Sequence, residues 1–227
     1  MWLINSPIGR KVVMSVTGIA LVLFLTFHMS MNVVALFSGE AYNMICEFLG
    51  ANWYAVVATL GLAALAVIHI LYAFTLTIQN RKARGNEKYA VTTKPKQVEW
   101  ASQNMLVLGI IVVLGIGLHL FNFWYNMMFA ELMGASSFSN PSPSDGFFFI
   151  KETFGNPVYV VLYIVWLAAI WFHLSHGFWS ALHTLGWNGK VWFNRWKCIG
   201  NIYTTILMLG FLVVVLAFAA GIAPSLV

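Results

Sequence analysis

Five apolar stretches, at about 12–37, 53–79, 101–129, 157–184 and 202–222, leave this chain few ways to fold. Each reaches or exceeds the roughly 20 residues a helix needs to cross the hydrocarbon core of a bilayer at about 1.5 Å per residue. A backbone in lipid must satisfy its own hydrogen bonds, so runs of this kind fold as helices. The expected fold class is all-α: an integral membrane bundle of five transmembrane helices in a single domain over residues 1–227. Charge agrees, because 8% of the residues are charged, against roughly 25% in a soluble domain. The first stretch follows Arg10 and Lys11 as a signal peptide would, but it outruns the roughly 7–15 apolar residues of such a peptide. The length leaves no room for a separate soluble enzyme domain.

The polar punctuation sets the ends. Ser6 and Pro7 are expected to open a short amphipathic N-terminal segment ahead of the first span. RKARGNEKYAVTTKPK (81–96) and SSFSNPSPSDG (136–146) read as loops, and Asn156–Pro157 as an N-cap and first helical residue. Arg10, Lys11, Arg81, Lys82, Arg84, Lys88, Lys94, Lys96, Lys190, Arg195 and Lys197 fall on one side, and only Lys151 on the other. Glu40, Glu47, Glu131, Asp145 and Glu152 lie opposite the basic side, with Glu87 and Glu99 on it. The positive-inside rule then places the N-terminus in the cytoplasm and the C-terminus outside.

Several chemistries are excluded. Cys46 and Cys198 are far apart and on opposite sides, and no C-x-x-C or C-x-x-C-H motif occurs. Iron–sulfur ligation, a four-cysteine zinc site and covalently attached haem therefore drop out. No phosphate loop or dinucleotide fingerprint is visible. The net charge of +5 reads as membrane topology rather than nucleic-acid binding.

Polar rings buried in these apolar runs are what remain. Counting rise from the expected span ends, His28 and His119 lie near 25 Å from the basic side, and His69 and His173 near 16 Å. Each histidine thus has a partner at matching depth on another helix, in two layers roughly 10 Å apart. Two bis-imidazole layers suit two stacked b-type haems held by inward-facing ligands of a bundle. Zinc or copper would gather several ligands at one depth, whereas each layer offers two. A lone intramembrane histidine equally suits a hydrogen bond to a carbonyl or a proton path.

Other residues accompany the histidines. Gly177 lies one turn past His173, where a flat macrocycle needs a missing side chain; Gly18, Gly61, Gly115 and Gly117 suit the same purpose or plain close packing. Asn32 follows His28, and Asn122 and Asn126 follow His119, at spacings that put them on the histidine's face. Such a stripe suits haem propionates, a quinone head group or interhelical hydrogen bonds. His173 and His176 are about 60° apart on a helix, so spacing does not choose between them. His183, beside Trp187 at the basic edge, reads as an interfacial residue or propionate contact.

The ordered fragments FHMSMN (27–32), VIHILYAF (67–74), GLHLFNF (117–123) and FHLSHG (172–177), with LGW at 185–187, give the chain a family likeness. It resembles, along essentially its whole length, the cytochrome b membrane anchor of succinate:quinone oxidoreductases and fumarate reductases in the single-chain, five-helix, dihaem form of Bacteroides-like bacteria. The resemblance implies H-x-x-x-G on the fourth helix, which His173 and Gly177 satisfy. It implies His28 with His119 for the distal haem and His69 with His173 for the proximal one.

It further implies a multi-pass protein of the bacterial inner membrane. The implied partners are a flavoprotein and an iron–sulfur subunit on the cytoplasmic face, in a heterotrimer able to dimerise, with menaquinone as substrate. An acidic residue near the start of the second helix would handle the quinone's proton, with Glu47 the nearer candidate and Glu40 the other. Some relatives carry a proton-conducting glutamate two residues before the fourth-helix ligand. Trp171 stands there, so a compensating proton path is not expected unless His176 takes that part. Two rivals share the pattern: a dihaem anchor of formate dehydrogenase, nitrate reductase or hydrogenase, and a haem-free proton-relay transporter.

Overall fold

A computed structural model describes residues 6–84, 100–135, 140–187 and 189–223. Among these residues the chain is all helical, and five helices are long and apolar enough to cross a membrane. In chain order they are α1 (Pro7–Val34), α3 (Trp53–Arg84), α5 (Met105–Leu132), α7 (Pro157–Thr184) and α8 (Trp192–Ala219). Three short helices join them: α2 (Gly39–Phe48), α4 (Trp100–Gln103) and α6 (Gly146–Gly155). This is the architecture of a multi-pass membrane protein. Lys88, Lys94, Lys96, Glu87 and Glu99 lie outside the described residues, as does the 136–139 part of the expected loop.

The span ends differ from the sequence expectation, and capping explains how. α1 has no separate leading segment, because the Ser6 hydroxyl accepts the Gly9 N–H at 2.9 Å and Pro7 supplies a ready-made first turn. It stops at Val34 rather than 37, where Ser38 turns the chain and caps α2 by accepting the Ala41 N–H at 3.1 Å. α8 begins at Trp192 rather than 202, since its basic first turns rest on rings. The Lys197 ammonium sits 4.4 Å from the Trp179 ring centre and the Arg195 guanidinium 5.2 Å from that of Trp192. Asn156 caps α7 as expected, accepting the Val158 N–H at 2.9 Å.

α2 and α6 were not foreseen. They lie together at the end of the bundle that carries Glu40, Glu47, Asp145 and Lys151, opposite Arg10, Lys11, Lys190 and Lys197. Asp145 joins them: its carboxylate accepts the Asn43 amide at 2.9 Å and the Phe148 N–H at 3.0 Å, while Asn43 accepts the Phe147 N–H at 2.9 Å. A Cβ on Gly146 would stand 2.3 Å from the Cys46 sulfur, so glycine is what lets the two helices approach.

The main core runs between α1, α6, α7 and α8, through Val22, Phe147, Ile150, Phe154, Tyr163, Leu207 and Phe218. α3 stands apart, packing chiefly on α1 and barely touching α5. Only 6% of its most apolar window is buried, against 33% for α8.

Candidate functional site

The structure brings the four intramembrane histidines together in two pairs. His28 of α1 and His119 of α5 have ring centres 5.7 Å apart at an interplanar angle of 81°. His69 of α3 and His173 of α7 have ring centres 6.4 Å apart at 65°. An ion held about 2 Å from one nitrogen of each of two imidazoles sets the ring centres roughly 6 Å apart, so both spacings fit bis-imidazole ligation. Among the described residues no three His, Cys, Asp or Glu side chains converge as a metal-binding group. The donor sets are pairs, which suits an ion whose other ligands come from a macrocycle.

The layers lie further apart than expected. Gly18 of α1 abuts His69, and Gly109 of α5 abuts His173, so these mark the inner layer on the helices that carry His28 and His119. From either marker to its histidine, helical rise amounts to about 15 Å rather than 10 Å.

Each layer is built differently. In the outer one Phe24 stacks on His28 at 5.4 Å and Phe211 of α8 lies at 5.7 Å, while Phe123, Trp166 and Tyr163 surround His119 at 5.1, 5.6 and 6.3 Å. In the inner one His69 lies on the α1 backbone at Gly18, with its Nδ1 3.1 Å from the Thr17 hydroxyl. The Nδ1 atoms of His119 and His173 are buried without a hydrogen-bond partner. Buried polar atoms left so are uncommon, and they leave these two rings without the outer hydrogen bond that His69 has.

The flanking candidates divide. Gly61, Gly117 and Gly177 have nothing within 4 Å of a would-be Cβ, so each keeps an open notch beside its helix. At Gly115 the close-packing alternative holds: the Trp166 ring fills its notch and donates to the Val112 carbonyl at 3.0 Å. Asn32 lies above His28, donating to the His28 carbonyl at 2.8 Å and accepting the Tyr42 hydroxyl at 3.2 Å. Asn122 is buried and donates to the Tyr163 hydroxyl at 3.3 Å.

Asn126 departs from the expected stripe. Directly after His119 the chain winds as a π-helix over Leu120–Phe129, and Asn126 turns its amide onto the Phe121 and Asn122 carbonyls at 3.1 and 3.0 Å. Seven-residue α spacing does not survive that winding, and π segments favour functional sites. Trp124, within the segment, also has a buried Nε1 with no partner.

On α7, Trp171 donates to Thr205 of α8 at 2.9 Å, turned towards that helix. His176 meets the Trp179 ring edge-on at 4.9 Å, and His183 the Phe193 ring at 5.5 Å near the basic end. Neither joins a histidine pair.

Glu40 and Glu47 share one face of α2 and line a cleft of about 530 Å³ with Asn43, Met44, Ser142, Ser144 and Asp145. Met44 also belongs to an adjoining apolar groove formed by Phe27, Met31, Ala41, Ile45, Phe48 and Leu49. Beneath the cleft, Tyr42 bridges from Asn32 to Cys46. Burial raises the Tyr42 hydroxyl well above its ordinary range and pushes the Cys46 thiol up to about 11, with the Tyr42 hydrogen bond offsetting part of the latter. Both thiols are free. Glu131 is engaged elsewhere, accepting the Ala51 N–H at 2.9 Å ahead of α3.

Comparisons with protein-family models, curated proteins and solved structures find no match for this chain.

Proposed function

We propose that the chain is a haem-bearing, quinone-reactive electron-transfer subunit of a bacterial inner membrane. Within that class it is the dihaem cytochrome b anchor of a succinate dehydrogenase/fumarate reductase complex, seated against an iron–sulfur subunit and a flavoprotein at its basic, cytoplasmic end. The observation that carries this reading is the meeting of His28 with His119 and of His69 with His173, from four separate helices at two depths. Four scattered intramembrane histidines serving unrelated needs have no reason to pair twice at ligation distance.

When bound, two haems b supply one-electron carriage between the iron–sulfur subunit and menaquinone. The chain's own residues do the rest. His69 and His173 hold the proximal site, and His28 and His119 the distal one. Gly177 leaves room beside the proximal pair, and the apolar spans keep water away. At the acidic end the cleft of Glu40 and Glu47 takes the quinone head, where a carboxyl oxygen holds or releases the proton that accompanies quinone chemistry. The groove of Phe27, Met31 and Phe48 offers the isoprenoid tail an apolar bed. Beneath the cleft, Asn32 accepts the Tyr42 hydroxyl and donates to the His28 backbone carbonyl.

The test is a reduced-minus-oxidised spectrum of the purified complex, with haem counted per polypeptide. The expected result is the sharp α band of low-spin haem b and two haems per chain, co-purifying with covalent flavin and succinate dehydrogenase activity. A colourless protein would overturn the reading, as would a partner oxidising formate or hydrogen.

A further inference from the structure

Of the four paired imidazoles, His69 is bound to the protein in a way the others are not. Its Nδ1 lies 3.1 Å from the hydroxyl of Thr17, a residue only 5% exposed on the facing helix α1. That hydroxyl already donates to its own helix, at 2.8 Å from the Val13 carbonyl and 3.1 Å from that of Met14, and the Met14 carbonyl beside it also accepts from the His69 ring. A hydroxyl has one proton and two lone pairs, so towards His69 it accepts and the imidazole donates. The proton of His69 therefore sits on Nδ1, and the Nε2 lone pair is free.

The other rings lack this arrangement. The Nδ1 atoms of His119 and His173 have no partner, and that of His28 faces the Asn32 amide nitrogen, itself a donor, at 3.4 Å. Gly18 completes the seat. A Cβ there would lie 3.3 Å from Cε1 of His69, so the missing side chain lets the ring rest against α1 while Thr17 holds it.

We propose that Thr17 is a positioning residue for the proximal haem: with Gly18 it fixes the tautomer and orientation of His69, so that Nε2 is presented as an electron-rich iron ligand. The inference rests on the dihaem reading above. An acceptor on the far ring nitrogen raises ligand basicity and favours the ferric over the ferrous state, and such partners commonly matter 10–100-fold in metal affinity. α1 thereby serves both layers, with His28 as a ligand in one and Thr17 as the holder of a ligand in the other.

The experiment is a potentiometric titration of the whole complex, followed optically and by electron paramagnetic resonance, in wild type, Thr17→Val and Thr17→Ser. Val matches Thr in shape and removes the hydroxyl; Ser keeps it. In Thr17→Val one of the two haems titrates at higher potential with an altered resonance signal, or is retained about 10–100-fold more weakly, while the other is unchanged. Thr17→Ser restores wild-type behaviour. Unchanged potentials and signals in Thr17→Val, or equal changes in the Val and Ser variants, would overturn the inference and leave the dihaem reading standing. A wild-type complex without haem would remove that reading itself.

Discussion

The two histidine layers are held by opposite means. Around His28 and His119, rings from α1, α5, α7 and α8 crowd the imidazoles, each aromatic contact contributing about 0.5–1.5 kcal/mol beyond its buried area. Around His69 and His173 the helices present Gly18, Gly109 and the Thr17 hydroxyl. The outer layer is fixed by many small contributions, so the loss of one ring leaves the others in place. The inner layer hangs on α3, the least buried span, and on the hydrogen bonds His69 makes to the Thr17 hydroxyl and the Met14 carbonyl, each about 0.5–1.5 kcal/mol. Packing defines the outer site; hydrogen bonds and a close approach define the inner.

On the dihaem reading, removing one of the paired imidazoles is the largest way to break this comparison. His28→Ala or His119→Ala is expected to halve the haem content by emptying the outer layer. His69→Ala or His173→Ala should halve it by emptying the inner one. Haem extraction with resonance spectroscopy separates the cases, because the signal remaining identifies the layer left. His176→Ala should retain both haems. If it loses one while His173→Ala does not, the α7 ligand has been misassigned.

Replacing the cleft carboxyl groups ranks next and is expected to leave both histidine layers in place. Proton handling by a positioned side chain is worth about 10²–10⁴ in rate. Glu47→Gln is therefore expected to slow succinate-driven menaquinone reduction at least tenfold, with both haems spectrally intact, and Glu40→Gln by less. Normal turnover in the double variant would move the quinone site away from α2.

Much of this contrast is legible in the residues, and the illegible part has identifiable causes. The five spans stand out because lipid permits little but helix, and Asn156–Pro157 marks a boundary through capping that needs no tertiary information. The histidine partners follow from depth, since antiparallel helices bring residues at one height together. The layer spacing does not: a count from the span ends puts the layers about 10 Å apart, whereas Gly18 and Gly109, which touch the inner pair, stand ten residues before His28 and His119 on the same helices. The short helices α2 and α6 were hidden in segments read for polarity alone, although Ser38 and Asp145 are ordinary N-caps. Thr17 could not be found beforehand. A threonine in an apolar helix has no signal of its own until the facing helix shows His69 against it. The π winding after His119 likewise left no mark that periodicity could detect.

The smallest effect concerns the cover of the outer layer. Cys46 lies partly buried where α2 meets Gly146, and burial lifts its thiol to about 11, whereas Cys198 is exposed on α8 near the basic end. The reactive species is the thiolate. At pH 8 a thiol of that acidity is about one part in a thousand thiolate, so a membrane-impermeant maleimide should label Cys198 rapidly and Cys46 slowly. Labelling of Cys46 should rise about tenfold per pH unit up to pH 10. The sign follows from the raised value: the folded state favours the neutral thiol, so the stability this contributes is complete below the unfolded pKa of about 8.5 and is lost as pH climbs towards 11. The α2–α6 contact therefore loosens only in strong alkali. In oriented vesicles Cys198 should label from the cytoplasmic side and Cys46 from the other. Equal labelling of the two at pH 7.5 would mean that α2 does not close over the outer layer, and that His28 and His119 are held by their rings alone.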